Sequence, residues 1–276
     1  MNANGRAVLV TGGSSGIGEA TARHLAARGF RAFATVRKDE DYRRLAEDGM
    51  EPIRLDVTDA VSIAAARTDV ENRLSGQPLL GLVNNAGVPG AGPLELIPLD
   101  ELRRVLEVNV VGAIAVTQAF LPLLERPGGR IVMMSSVSGR IAAPFMGPYA
   151  ASKFALEAVT DSLRRELLPD GIDVVSVQPG AIVTSIWDRV EEIDVDRYVG
   201  SRYEDRMWRV REQALRLGHA GLPPERVAEA VERALTVPRP PPRILVVDRT
   251  ARRGLRLGSL LPTRVLDRLI ARRMGG

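Results

Sequence analysis

The sequence predicts an α/β fold: a doubly wound parallel sheet of about seven strands, with helices on both faces, in a single domain. Three observations predict it. Short β-rich runs alternate with segments of helical periodicity along most of the chain. The 276 residues, 45% hydrophobic and 26% charged, supply one large core without cross-links. A glycine-rich turn also stands where the first strand would enter the first helix. Strands joined through helices require right-handed crossovers, which make the strands parallel and cover both faces. Ligands of such sheets bind beyond the carboxyl ends of the strands, where the strand order reverses.

In chain order, the strands are read at Ala7–Val10, Ala32–Val36, Pro52–Leu55, Leu80–Asn84, Arg130–Ser135, Asp173–Gln178 and Arg243–Val247. Each is rich in β-branched or apolar residues and bounded by turn formers. The longest apolar stretch, Val108 to Leu124, is interrupted by Asn109, Thr117, Gln118 and Pro122 and reads as a buried helix rather than a membrane span. Gly147 to Leu168 carries helical periodicity. Residues 186–222 exceed an ordinary strand-to-helix connection, and Trp187, Tyr198, Tyr203, Met207 and Trp208 within them suggest a helical insertion over a cleft. The alternative is a plain surface helix pair. Pro238 to Pro242 is a stiff connector to the last strand.

This reading makes 1–248 one α/β body, including the insertion at 186–222, and 249–276 a basic amphipathic tail. In the tail, Leu261, Val265, Leu266, Leu269 and Ile270 share one helical stripe, and Arg264, Arg268 and Arg272 share another. Such a helix packs on the body or a second subunit, or else attaches peripherally to a membrane.

Composition narrows the chemistry. There is no cysteine, and the histidines are His24 and His219 alone, so disulfides are excluded and no metal site is expected. The work falls to hydroxyls, amines, carboxylates or a cofactor. The net charge of +4 is uneven: Arg249–Gly276 carries +7 and the remainder −3, so the body is no nucleic-acid binder. The N-terminus enters the first strand too soon for a signal peptide. The expected location is the cytoplasm, with any membrane contact peripheral and through the tail.

The first strand ends in Thr11-Gly12-Gly13-Ser14-Ser15-Gly16-Ile17-Gly18. Glycine lets the backbone turn sharply and approach a pyrophosphate, and the N–H groups opening the next helix stabilise its charge. Gly12, Ser14, Ser15, Gly16, Ile17 and Gly18 are therefore the candidate cradle. Further along come Asn84-Asn85-Ala86-Gly87, Asn109, Ser136, Tyr149-x-x-x-Lys153 and Pro179-Gly180, with Thr184 four residues beyond the glycine.

This ordered set resembles the short-chain dehydrogenase/reductase family, of the TGxxxGIG, NNAG and YxxxK type. Ala34–Arg37 and Ser152–Leu156 look like those of its 17β-hydroxysteroid and retinol dehydrogenase branch. The resemblance implies a single-domain Rossmann fold and NAD(P)-dependent interconversion of an alcohol and a carbonyl. It implies cofactor contacts at Asp56 and Val57 (adenine), Asn85, Ala86, Gly87, Pro179, Gly180, Ile182 (backbone groups to the carboxamide) and Thr184 (hydroxyl to carboxamide or phosphate). It further implies that Ser136 hydrogen-bonds the reacting oxygen, and that Asn109 kinks its helix and holds a water linking Lys153 to solvent. Ser135 and Ser138 are alternatives to Ser136 by residue type; an Asn109 that only satisfies buried backbone and an Asp56 that only caps a helix are the blander readings.

The residues themselves carry two further steps. An acid at the end of the second strand would bind the ribose hydroxyl, whereas arginine attracts a 2′-phosphate. Val36-Arg37-Lys38 therefore favours NADP(H) over NAD(H), against a reading in which Asp39, Glu40 or Asp41 reaches a ribose. Tyr149 and Lys153 are one helical turn apart, so an ammonium stands beside a phenol and draws its titration toward working pH. Lys153 is one of two lysines against 36 arginines, a contrast that suggests an ammonium specifically is needed.

Candidate pocket residues are Val88–Gly92, Val137–Met146 and the insertion from Ile186, with Val137, Phe145, Met146 and Trp187 prominent beside Ser136 and Tyr149. They are mostly apolar, so a steroid-, retinoid- or lipid-like alcohol or carbonyl fits. The rival is a catalytically silent NADP(H)-binding regulator or scaffold on the same fold. The intact Ser136, Tyr149 and Lys153 set speaks against it. A homodimer or homotetramer is compatible with the sequence.

Overall fold

The computed structural model describes residues 5–191, 193–258 and 260–273. Its strands are β1 (Ala7–Val10), β2 (Arg31–Val36), β3 (Glu51–Arg54), β4 (Leu79–Asn84), β5 (Arg130–Met134), β6 (Asp173–Pro179) and β7 (Arg243–Val246). The helices are α1 (Gly16–Ala27), α2 (Asp39–Glu47), α3 (Ala60–Leu74), α4 (Leu99–Leu106), α5 (Gly112–Phe120), α6 (Gly147–Glu166), α7 (Ile186–Glu191), α8 (Glu204–His219), α9 (Glu225–Thr236), α10 (Arg249–Gly258) and α11 (Thr263–Arg273). A π-helical turn, Glu107–Val111, joins α4 to α5.

One sheet runs in the order β3-β2-β1-β4-β5-β6-β7, every neighbouring pair parallel. Period-2 alternation explains its two packed faces. On β1, Ala7 and Leu9 join the core with Val70, Val116 and Phe120, whereas Val8 and Val10 join Leu25, Val231 and Leu235 on the other side. Likewise Ile131 and Met133 of β5 face one core, and Val132 and Met134 the other. The backbone of β4 lies close under α9 at Gly81, where a Cβ would stand 2.4 Å from Leu235 Cδ2.

Strand ends differ from the sequence reading by at most one residue. β2 opens at Arg31, whose guanidinium grips both Glu51 carboxylate oxygens at 2.7 and 2.8 Å; β6 runs on to Pro179 because that residue pairs with Val246. The apolar stretch expected as one buried helix is the π turn, α5 and a short 3₁₀ turn at Leu121–Leu123. Among the described residues, the run Leu99–Leu123 alone has the length and apolarity to cross a membrane. Its α5 portion instead packs against β4 and α3.

The insertion forms α7, a 3₁₀ turn at Asp196–Tyr198, and α8. Val195, Tyr198 and Met207 make a small core of its own, against which Phe145, Ile193 and Tyr203 pack. The basic tail forms two helices, α10 and α11. The apolar stripe read from the tail is split: Leu266 and Ile270 are half-buried, whereas Leu261, Val265 and Leu269 are exposed.

Candidate active site

Neighbouring β1 and β4 are where the strand order reverses, so the loops following them part and leave a crevice at their carboxyl ends. The Thr11 hydroxyl sits at its base. It accepts the N–H groups of Asn85 (2.9 Å) and Ala86 (3.0 Å), while the Asn85 amide donates to the Thr11 carbonyl at 2.9 Å. From β2, the Thr35 hydroxyl accepts the Gly12 N–H at 3.1 Å and its carbonyl the Gly13 N–H at 2.7 Å. Three strand ends are thereby laced to one turn.

The turn itself is open to an anion. Gly12 and Gly16 have φ of +65° and +55°, a conformation that side chains oppose. At Gly18 a Cβ would stand 2.0 Å from the Gly12 carbonyl oxygen. Ser15 precedes α1 with no side-chain cap bond, which leaves the first-turn N–H groups to a ligand. Ser15 is exposed and Ser14 half-buried, while half-buried Ile17 packs on the core beneath. A turn without room for side chains and with uncapped donors fits a pyrophosphate.

At the end of β2, Arg37 and Lys38 are exposed. The neighbouring acids are engaged elsewhere: Asp39 pairs with Arg54, Glu40 with Lys38 at 3.2 Å, and Asp41 with Arg44 at 3.5 Å. Asp56 accepts the Thr58 N–H and hydroxyl at 2.9 and 2.7 Å, and Asp59, not Asp56, caps α3. Burial acts to raise the Asp56 carboxyl, but these Thr58 bonds and the Arg37 charge outweigh it and hold the group below its ordinary value. The Val57 side chain is buried under α5, where a Cβ at Gly112 would touch it.

Ser136, Tyr149 and Lys153 gather past β5. Ser136 follows that strand and its hydroxyl accepts the Ser138 N–H at 3.1 Å. Burial pushes the Tyr149 phenol above its ordinary value, and a hydrogen bond with Ser136 works the other way. The Lys153 nitrogen lies 5.5 Å from the Tyr149 ring centre and donates to the Met134 carbonyl at 2.8 Å. Its burial, opposed by the Glu157 charge, pulls it down to about 8.

Asn109 lies in the π turn. Its side chain takes both backbone groups of Val88, accepting at 2.8 Å and donating at 3.0 Å, and donates to the Ser152 hydroxyl at 3.0 Å. Such turns interrupt the α-helical ladder and often mark functional positions. A Cβ at Gly87 would lie 3.3 Å from Asn109 Oδ1 and 3.8 Å from the Lys153 nitrogen. Asn85-Ala86-Gly87, Asn109 and Lys153 thus border one space.

Past β6, Pro179 is buried and Gly180 half-buried. Thr184 lies against Gly16, its Cβ 3.1 Å from where a Gly16 Cβ would stand, so the loop after β6 meets the phosphate turn. The Ile182 carbonyl accepts the Trp187 indole N–H at 2.7 Å. Trp187 and Met146 line a narrow apolar cavity with Pro89, Val190, Val195 and Met207. Phe145 instead meets Tyr203 edge-on at 5.9 Å, and Val137 is half-buried in the turn after Ser136.

Three residues in this setting carried no site role in the sequence reading: Thr11 at the crevice base and Ser152 on Asn109, both named there only as members of motifs, and Glu157 one turn past Lys153. Glu157 carried a signal, since positions 149, 153 and 157 lie on one helical face. For Thr11 and Ser152, pairing across more than forty intervening residues leaves no local pattern.

Comparison with known proteins points the same way. The family model described as "short chain dehydrogenase" matches residues 6–194. An NADPH-dependent 3-dehydrocapnine reductase of Ornithobacterium rhinotracheale is 34% identical over 272 residues, 96% of this chain and 95% of that protein. Retinol dehydrogenase 5 of Homo sapiens is 44% identical over 183 residues, 65% of this chain and 57% of that protein. A short chain dehydrogenase/reductase of Burkholderia phymatum, solved in complex with NAD, superposes with a TM-score of 0.77 at 25% identity, covering 94% of each chain.

The cradle yields a direct test. Gly18→Ala forces a Cβ onto the Gly12 carbonyl, which should destabilise the fold by about 1–3 kcal/mol and weaken dinucleotide binding by about tenfold or more. Thermal melts with and without NADPH check both, and an unchanged ligand-induced rise in Tm would count against the cradle.

Proposed function

This chain belongs to the short-chain dehydrogenase/reductase family, whose members are oxidoreductases of alcohols and carbonyls, and on that premise we propose that it is an NADP(H)-dependent reductase or dehydrogenase of a hydrophobic substrate. The reading is carried by one observation: Ser136, Tyr149 and Lys153 gather at the end of β5, with the Lys153 nitrogen 3.8 Å from where a Cβ at Gly87 would stand. The reactive carbon would lie over the nicotinamide, which supplies or accepts a hydride when bound.

The chain's own groups manage the oxygen. Ser136 donates a hydrogen bond to it and so orients it. Tyr149 gives its proton to that oxygen as negative charge builds in reduction, and takes one from the alcohol in oxidation. Lys153 places its ammonium one helical turn from the phenol, from where it would stabilise the phenolate. Asn109 holds the backbone of Val88 and so fixes the wall between Gly87 and Lys153.

Preference for NADP(H) rests on the end of β2. Arg37 and Lys38 offer two cations to a 2′-phosphate, and the three nearby acids are already paired with Arg54, Lys38 and Arg44. A ribose-binding carboxylate is thereby not available from that loop. An apolar substrate is supported by the cavity lined by Pro89, Met146, Trp187, Val190 and Met207. In this reading residues 1–248 form the catalytic body and 249–276 an appended tail, in a cytoplasmic protein.

The tail supports a second, independent proposal: peripheral attachment to an anionic membrane. Leu257, Leu260, Leu261, Val265 and Leu269 are 37–81% exposed and lie among exposed Arg253, Arg264, Arg268 and Arg272. Leucines beside arginines on a helix suit an interfacial position.

Four measurements test these readings. A panel of lipophilic ketones and aldehydes with NADPH separates an enzyme from a silent scaffold, which would oxidise none of the coenzyme. The ratio of kcat/KM for NADPH over NADH should exceed about tenfold, and Arg37→Ala should reduce it; equal use of the two overturns the assignment. Tyr149→Phe should lower kcat by about two to four orders of magnitude while NADPH still binds, and near-normal turnover removes Tyr149 from the chemistry. The intact chain should co-sediment with vesicles containing anionic lipid and lose this on deletion of residues 261–276, whereas absence of binding by the intact chain dismisses attachment.

A further inference from the structure

On α6 the residues Tyr149, Lys153 and Glu157 follow at four-residue intervals, so their side chains form one stripe on the face that packs against β6 and the turn after β5. The first two belong to the proposed chemistry. Glu157 does not, yet it is 8% exposed, and a buried carboxylate without a task is expensive. It is held from two strands. Ser176 of β6 donates its hydroxyl to Glu157 Oε1 at 2.5 Å, Gln178 of β6 its amide to the same oxygen at 2.9 Å, and Arg243 of β7 its Nε to Oε2 at 2.9 Å. A Cβ at Gly139 would lie 3.0 Å from the Lys153 carbonyl oxygen and 3.1 Å from Glu157 Cγ, so the turn after Ser136 also presses on this stripe.

We infer that Glu157 is a positioning residue for the reaction: an anion locked in place by β6 and β7, one turn beyond Lys153, that keeps the lysine charged where burial would strip its proton. The inference rests on the proposed role of Lys153. Burial drives the lysine down to about 8, and the charge that acts against this is Glu157. Burial likewise acts to raise the Glu157 carboxyl, but Ser176, Gln178 and Arg243 act against it and hold the group below its ordinary value, so the anion persists.

The charged and titratable neighbours are few. Tyr149 and Glu157 flank Lys153 on its own helix, while β5 presents the neutral Met134 carbonyl and the π turn the neutral Asn109 amide. Around Glu157, β6 presents neutral Ser176 and Gln178 and β7 presents Arg243, which it shares with Asp161 at 2.8 Å; Asp161 also pairs with Arg164 and Arg165. With this anion removed, nothing charged on those elements takes its place beside the ammonium.

Lysine scarcity makes the test direct. Lys38 and Lys153 are the only lysines, so protein labelled with ¹³C at lysine Cε gives two signals, assigned with Lys38→Arg. In the wild type the buried lysine should titrate near 8. Glu157→Gln should move that midpoint down by about one pH unit or more. Arg243→Met breaks the same ion pair but keeps the anion, so it should hold the midpoint or raise it. An unmoved midpoint in Glu157→Gln overturns the inference. So does a fall in Arg243→Met, which would mark the pair as mere scaffolding and which remains readable if the glutamine variant does not fold. In assays of carbonyl reduction the alkaline limb of kcat/KM should shift downward with the lysine midpoint. Absence of reduction by the wild type would fail the proposed function and leave the titration free to decide on Glu157.

Discussion

The side-by-side pairing of β1 and β4 is the constraint from which the rest follows. The chain returns from opposite directions to these two neighbours, so their outgoing loops part and the sheet's carboxyl edge has an opening there. Both loops must then be held by something other than each other. The Thr11 hydroxyl does this from just past β1, gathering the Asn85 and Ala86 N–H groups, and Thr35 does it from β2. The glycine turn is rigid on its protein side and bare on its outer side, which suits a highly charged ligand that must be met by backbone alone.

Against this opening, α6 brings a stripe of titratable side chains. A long helix on a sheet presents a whole face, and side chains at four-residue intervals meet different elements. Tyr149 is half-buried, Lys153 is buried on the Met134 carbonyl, and Glu157 is buried among β6 and β7. Burial works on all three in the direction of the neutral form. Each is opposed by a neighbour: Ser136 for Tyr149, the Glu157 charge for Lys153, and Ser176, Gln178 and Arg243 for Glu157.

Much of the fold was legible because it rests on local regularities. Short apolar runs separated by helical segments announced a parallel sheet covered on two faces, and the glycine turn announced the entry to α1. Tyr149 and Lys153 were readable for the same reason, a helical period. The unreadable parts depend on which surfaces meet. The π turn at Glu107–Val111 surrounds an asparagine whose partners are the backbone of Val88 and Ser152, and nothing near position 109 indicates them. The tail's apolar stripe gave no hint of its division, because only docking decides that Leu266 and Ile270 turn inward while Val265 and Leu269 do not. Trp187 offered its aromatic surface to any reading of a pocket, but its indole N–H bond to Ile182 emerges only when the loop after β6 is in place.

That indole ties together two parts of the molecule with different duties. Its ring lies flat on α8 at Gly218, where a Cβ would come within 2.2 Å of Trp187 Cδ2, and its N–H holds the loop running from Gly180 to the phosphate turn. The same loop is stitched to Leu222, just past α8, by the Val183 N–H at 2.9 Å and the Ala181 carbonyl at 3.0 Å. Roof and floor of the cleft are therefore one mechanical piece. A displacement of α8 would be passed, through the loop at Ala181–Thr184, to the glycine turn at Gly16.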